Sequence, residues 1–166
     1  MAETAHEYIA RILSHSAGQN GLTVLGQTAD RLKALLDSTA PEKWRRRPEP
    51  GRWSAGEVLA HLADVEIVSG WRVRSILASD GTPLQAFDQN AWAEAFKYAE
   101  VEPVESLRTF TAARASLLSL LDRVDPSRRT HHGLHAERGQ ETIAHLIQLN
   151  AGHDINHLKQ IEALVT

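Results

Sequence analysis

Apolar positions recur along this chain three and four residues apart, the period of an amphipathic helix, and no stretch alternates in the way a strand requires. Tyr8, Ile9, Ile12 and Leu13 carry the pattern from Glu3 to about His15, and Gly18 and Gly21 then interrupt it. Leu32, Leu35 and Leu36 resume it between Ala29 and Asp37, with Thr28 placed as the N-cap. These two pieces read as one first arm of a bundle, broken near 16–28. Pro41 opens a short turn carrying Trp44, and Arg45 to Arg52, with its prolines and Gly51, reads as a loop.

Trp53-Ser54-Ala55-Gly56-Glu57-Val58 is the clearest start signal. Ser54 followed three residues later by Glu57 forms a capping box, and Trp53 and Val58 are spaced as a hydrophobic staple. A helix is expected over 54–79, until Asp80-Gly81-Thr82-Pro83 turns the chain. Asp88 to Phe96 predicts a short helix across the bundle, with Trp92 and Phe96 on one face. Pro103 then opens a helix over 103–124 through Leu107, Phe110, Leu117, Leu118 and Leu121, and Asp125-Pro126 stops it. A loop to Gly139 leads into a proline-free segment, 140–164, that reads as one helix. Four principal arms without strands or repeats predict an all-α four-helix bundle, one domain over 1–166.

Composition narrows the chemistry. With 166 residues, 42% of them hydrophobic, the chain can bury one substantial core. A net charge of −3, from 18 basic and 21 acidic side chains, provides no field for non-specific nucleic-acid binding, and Arg45-Arg46-Arg47 reads as a solvated loop. The absence of cysteine removes disulfides, thiolate ligands and a cysteine nucleophile, leaving His, Asp and Glu as the strong metal ligands. The N-terminal Met1-Ala2-Glu3-Thr4 has no signal pattern and no apolar run reaches spanning length, so a soluble, cytoplasmic protein without membrane contact is expected.

His153 and His157 stand four residues apart on the last predicted helix, about 40° apart around it, so both rings leave one face. Ile143, Leu146, Leu149, Ile161 and Leu164 fall within about 80° of His153, which puts the pair inside the apolar stripe. Alone, such a pair is more often hydrogen-bonded core than metal site, and a cation needs a third ligand from another arm. His61 supplies a candidate, because Val58, Leu62, Val65, Val68, Val73 and Ile76 share its side of the 54–79 helix.

The surrounding polar residues admit two readings each. Asp64 and Glu57 lie within about 60° of His61 and are candidate catalytic carboxylates, although the capping box already accounts for Glu57. Asp154 and Asn150 project toward the ligand face and are candidates to hydrogen-bond ring N–H groups. His145 sits at the stripe's edge and is left out, while His131, His132 and His135 cluster in a loop with no assigned role. Arg72 points within about 20° of His61's direction, and Arg114 falls on the apolar face between Leu107 and Leu121. A buried guanidinium must meet a carboxylate, such as Glu66 or Asp88, or line a wet cavity and bind an anionic cofactor or substrate.

Trp53-Ser54, Glu57-Val58-Leu59-Ala60-His61-Leu62-Ala63-Asp64, Trp71-Arg72-Val73-Arg74, Asp88-Gln89 and His153-Asp154-Ile155-Asn156-His157-Leu158-Lys159-Gln160-Ile161 together resemble the DinB-like family, over about Ile9 to Leu164. The resemblance implies an up-down-down-up bundle, often a homodimer, with a divalent metal on three histidines. By motif these are His61, His153 and His157. It also implies a group of metal-dependent hydrolases and thiol-dependent transferases, many without an established reaction. Three imidazoles suit zinc or nickel first, then iron or manganese, and leave a position at which water or a low-molecular-weight thiol is activated against a small molecule. The alternative is a metal-binding protein of the same fold without turnover.

Overall fold

The computed structural model describes residues 3–166, so Met1 and Ala2 of the N-terminal stretch lie outside it. Three of its four long helices start where a side chain takes up a free amide of the first turn. In α4 (Ala55–Ala78) the Ser54 hydroxyl accepts from the Glu57 amide and the Glu57 carboxylate accepts from the Ser54 amide at 2.8 Å, the predicted capping box. α1 (Ala5–His15) begins with a second box, Thr4 with Glu7. α3 (Pro41–Arg45) and α6 (Pro103–Arg123) both open on proline, and α5 (Gln89–Ala95) is capped by Asp88.

Two expected boundaries move. α2 runs Gly21–Ser38 from an Asn20 cap, so the break in the first arm is confined to 16–20. Thr28 is therefore inside a helix rather than capping one. Its hydroxyl is held by Val24 O at 3.0 Å and Asp154 Oδ2 at 2.7 Å, a tertiary partner invisible to local pattern. The last helix, α7 (Ile143–Val165), starts at a Thr142 cap, because the residues before it form a strand.

That strand belongs to a small sheet that the helical periodicity does not predict. β1 (Thr82–Leu84) pairs in parallel with β2 (His132–His135), which pairs antiparallel with β3 (Gly139–Thr142). These strands are three or four residues long, too short for alternation to register, and β1 contains Pro83. Gly133 is required where it stands, since a Cβ there would lie 2.6 Å from the Leu84 side chain. The sheet sits against α4 through β1 and β2.

Helix direction follows from two apolar clusters. Leu32, Val58, Leu59, Leu62, Leu107, Phe110, Leu158 and Ile161 pack at one end. Leu25, Val73, Ile76, Leu117, Leu121, Ile143, Leu146 and Ile147 pack at the other. α2 and α7 therefore run one way and α4 and α6 the other, which is the up-down-down-up order. Because α4 and α6 are parallel, the chain between them must return the length of the bundle, and β1 and α5 lie on that crossover. At the boundary between the clusters each long helix contributes one buried polar residue: Thr28, Glu66, Arg114 and Asp154. Among the described residues no helix is long and apolar enough to cross a membrane.

Candidate metal centre

His61, two turns into α4, meets His153 and His157, one turn apart on the antiparallel α7. His61 and His153 are buried and His157 half-buried, and one nitrogen from each lies within 4.8 Å of the others. The Nε2 atoms of His61 and His153 are 3.2 Å apart. Two nitrogens on one tetrahedral ion, each about 2.1 Å from it, stand about 3.4 Å apart, so this approach is the spacing of shared ligands. Trp53 packs on the His61 ring at 5.2 Å between centroids and limits its rotation.

The protonation states favour ligation. Burial pushes His61 down to about 3, with the His157 charge adding to the effect. Burial also lowers His153 and His157, although Gln160 opposes the shift at His157. All three rings are therefore neutral near neutral pH and present lone pairs. The His157 Nδ1 to Gln160 Oε1 contact, 2.7 Å, requires the proton on Nδ1 because a carbonyl oxygen only accepts, and this frees Nε2. Nδ1 of His61 and of His153 is buried without a partner. The donor set fits a divalent cation: three neutral imidazoles with room for an exogenous ligand.

That room is a cavity of about 340 Å³ bordered by His61 and His153. Val65, Val68, Leu146 and Leu149 supply apolar wall, and Tyr8, Ser69, Asn150, Arg72, His135 and Arg138 supply polar groups. The cavity thus reaches from the histidines along α4 to the small sheet.

The other sequence candidates separate clearly. Glu57 accepts from Arg47 as well as from its cap and is not part of the cavity lining. Asp64 accepts from the Tyr98 hydroxyl at 2.6 Å and is likewise absent from the lining. Asp154 does not reach a ring N–H; it is buried and accepts from Arg114 and Thr28. Asn150 does line the cavity. Arg114 is ion-paired with Glu66 and Asp154, each at 2.8 Å, and is not part of the cavity lining. Arg72 does not follow the same pattern, since Asp88 caps α5 instead and Arg72 lines the cavity. His145 stays outside the cluster. Of the loop histidines, His132 contacts Asp80 and His135 lines the cavity.

Sequence reasoning missed Tyr8, His135 and Arg138 because α1 and the unpredicted sheet bring them to the site, and it missed Ser69, which lies on α4 itself between Val68 and Gly70. Gln160 had a local signal: it follows His157 by three residues on one helix, where side chains meet.

A bundle of this order with three inward imidazoles on antiparallel helices defines a class of histidine-site helical proteins. The chain belongs to the DinB superfamily, whose profile matches residues 25–161. It is similar to two proteins of Oceanobacillus iheyensis, each named "putative metal-dependent hydrolase". One is 29% identical over 69% of this chain and 66% of the relative; the other is 22% identical over 96% and 84%. The chain therefore spans just under two thirds of the first relative's length. Among solved structures it resembles YfiT from Bacillus subtilis, described as a probable metal-dependent hydrolase with an unusual four-helix bundle topology. The TM-score is 0.80 at 21% identity, over 87% of this chain and 83% of YfiT. It also resembles the mycothiol-dependent maleylpyruvate isomerase, with TM-score 0.68 at 13% identity over 85% of this chain and 59% of the isomerase. At these identities the structures share a fold.

Proposed function

We propose that the protein is a metal-dependent enzyme whose His61, His153 and His157 hold one divalent ion, zinc or nickel before iron or manganese, beside a cavity for a small molecule. The observation that carries this reading is the convergence of three neutral imidazoles, two of which, His61 and His153, stand on the wall of that cavity. When bound, such an ion supplies Lewis acidity that activates water or a thiol for attack on an electrophile. The protein's own residues prepare the site. Gln160 sets the His157 tautomer, Trp53 restrains His61, and Val65, Val68 and Leu149 give the substrate a partly dry wall. Glu57 and Asp64 act in this proposal as supports of α4, because Arg47 and Tyr98 already engage them.

Hydrolysis and thiol transfer share these ligands. Arg72 and Arg138 in the cavity wall favour a negatively charged co-substrate such as a low-molecular-weight thiol bearing carboxylates. The alternative without turnover expects no route to the ion, and the cavity beside His61 and His153 speaks against it. A homodimer is also proposed. Exposed Ile67 and Trp71 on the outer face of α4 support it, and a monomer mass in solution scattering would remove it.

The test is metal analysis of the purified protein beside a His157→Ala variant. Near-stoichiometric metal in the parent and loss from a folded variant is the expected result. Equal metal content in the two would sink the assignment. A screen of thiol transfer and ester or amide hydrolysis on the loaded protein then separates the two chemistries.

A further inference from the structure

The two arginines that sequence pattern placed on inward faces have opposite fates. Arg114 has two carboxylates. Arg72 has none within 4.0 Å among the described residues, although it is 8% exposed. Its Nη2 donates to the Gln85 carbonyl at 2.6 Å, its Nε is buried with no partner, and the Phe87 ring lies 6.0 Å from the guanidinium carbon. One carbonyl and a distant ring do not compensate the desolvation of a buried cation.

The surroundings add donors. His135, 4% exposed on β2, accepts from the Glu137 amide through Nδ1 at 3.2 Å, which leaves Nε2 as the protonated, donating nitrogen. Ser69, one turn before Arg72, also faces the cavity. Arg138 lines it too, paired with the buried Glu141, and its charge joins burial in pushing Arg72 down to about 10, so Arg72 stays charged at neutral pH. The acidic residues of the lining are engaged or peripheral: Glu3 accepts from Arg11 and Glu137 is exposed. Arg72 stands about 16 Å beyond His61 along α4 and on the same side, and helical side chains lean toward the N-terminus, hence back along the cavity.

We propose that Arg72, with His135 Nε2–H and the Ser69 hydroxyl, forms a subsite for a carboxylate of the cavity's ligand, at the end away from the histidine cluster. The ligand is then an elongated small molecule whose acidic end anchors at Arg72 and whose other end lies at His61 and His153. This orientation rests on the metal-enzyme reading; the subsite itself does not.

The experiment uses full-length protein stripped of metal with EDTA, so that the histidine site contributes no binding. Titration with adipate, followed by calorimetry and backbone amide shifts, is expected to saturate, whereas the neutral dimethyl adipate does not bind. Arg72→Gln is expected to weaken adipate at least about tenfold, the loss of one charge-assisted contact. Ser69→Glu covers the case in which Arg72→Gln does not fold. It supplies an internal counter-ion one turn away, so the variant is expected to be folded, to melt higher and to ignore adipate. Adipate binding that is unchanged in Arg72→Gln or Ser69→Glu, equal binding of the diester, or no saturation by the parent would each overturn the subsite. Saturable adipate binding in a protein that never takes up metal would leave the subsite standing and remove the metal assignment instead.

Discussion

Arg114 holds Asp154, the residue next to His153, by two hydrogen bonds: Nη1 to Oδ2 at 2.8 Å and Nη2 to Oδ1 at 3.3 Å. The same guanidinium donates to Glu66 on α4 and to the Leu25 carbonyl on α2, and Thr28 completes the set. One polar side chain from each long helix, with the Leu25 carbonyl, thus meets at the boundary between the two apolar clusters. The network joins four helices, and one of them carries two of the three histidines.

Replacing Arg114 with leucine leaves the Glu66 and Asp154 carboxylates buried together. The expected loss is about 3–5 kcal/mol of unfolding free energy, the usual result of removing one partner from a buried pair. Urea denaturation measures it. A loss under about 1 kcal/mol, the range of an exposed pair, would mean that the network is solvated.

Glu66 gives that network a pH dependence. Burial, opposed by Arg114, raises its carboxyl above the ordinary 4.5, and its Oε1 has no partner. With one guanidinium against two carboxylates, a proton on Glu66 brings the cluster to neutrality. The folded state therefore holds this proton more tightly than the unfolded chain. Its contribution is complete below about pH 4.5 and disappears as pH rises through the folded-state value. Glu66→Gln removes the effect, so the stability of the variant relative to the parent should increase from pH 4.5 upward. Parallel urea series across that range check it, and a difference that does not change with pH contradicts it.

What the sequence discloses divides along range of interaction. The Ser54 and Glu57 box and the inward turn of His61, His153 and His157 are set within a few residues, and they read directly from spacing. The Arg114 partners, the demotion of Thr28 from cap to mid-helix donor and the arrival of His135 beside Arg72 depend on which helix lies opposite. Period and propensity carry no such information. The small sheet escapes for another reason: β1, β2 and β3 are shorter than any reliable alternation, and their Gly133 and Pro83 read as turn residues.

Two glycines separate contact from propensity. A Cβ on Gly152 would lie 2.1 Å from the Ile12 carbonyl oxygen, a backbone atom that cannot rotate aside. Gly152→Ala must therefore push α1 off α7 one residue from His153, at a cost of about 1–3 kcal/mol or more. Gly26 lies inside α2, and a Cβ there would meet nothing within 4 Å. Gly26→Ala should stabilise by about 0.5–1 kcal/mol through helix propensity alone. Thermal unfolding of the two variants should move in opposite directions, and a Gly152→Ala melt at or above the parent's would show that α1 does not dock as described.

Metal addition tests the histidine cluster without knowledge of the substrate. A ligand at a hundredfold excess over its Kd stabilises the folded state by about 2.7 kcal/mol. For a domain of this size, each kcal/mol raises Tm by about 2–4 °C, so zinc or nickel added to stripped protein should raise Tm by roughly 5–10 °C. His153→Ala should remove the shift, because two imidazoles on separate helices hold the ion far less well than three. His145→Ala is the control: His145 is half-buried on the first turn of α7, 4.0 Å from Glu141, and lies outside the cluster. It should keep the full shift. Loss of the shift in His145→Ala with retention in His153→Ala would relocate the site to the start of α7.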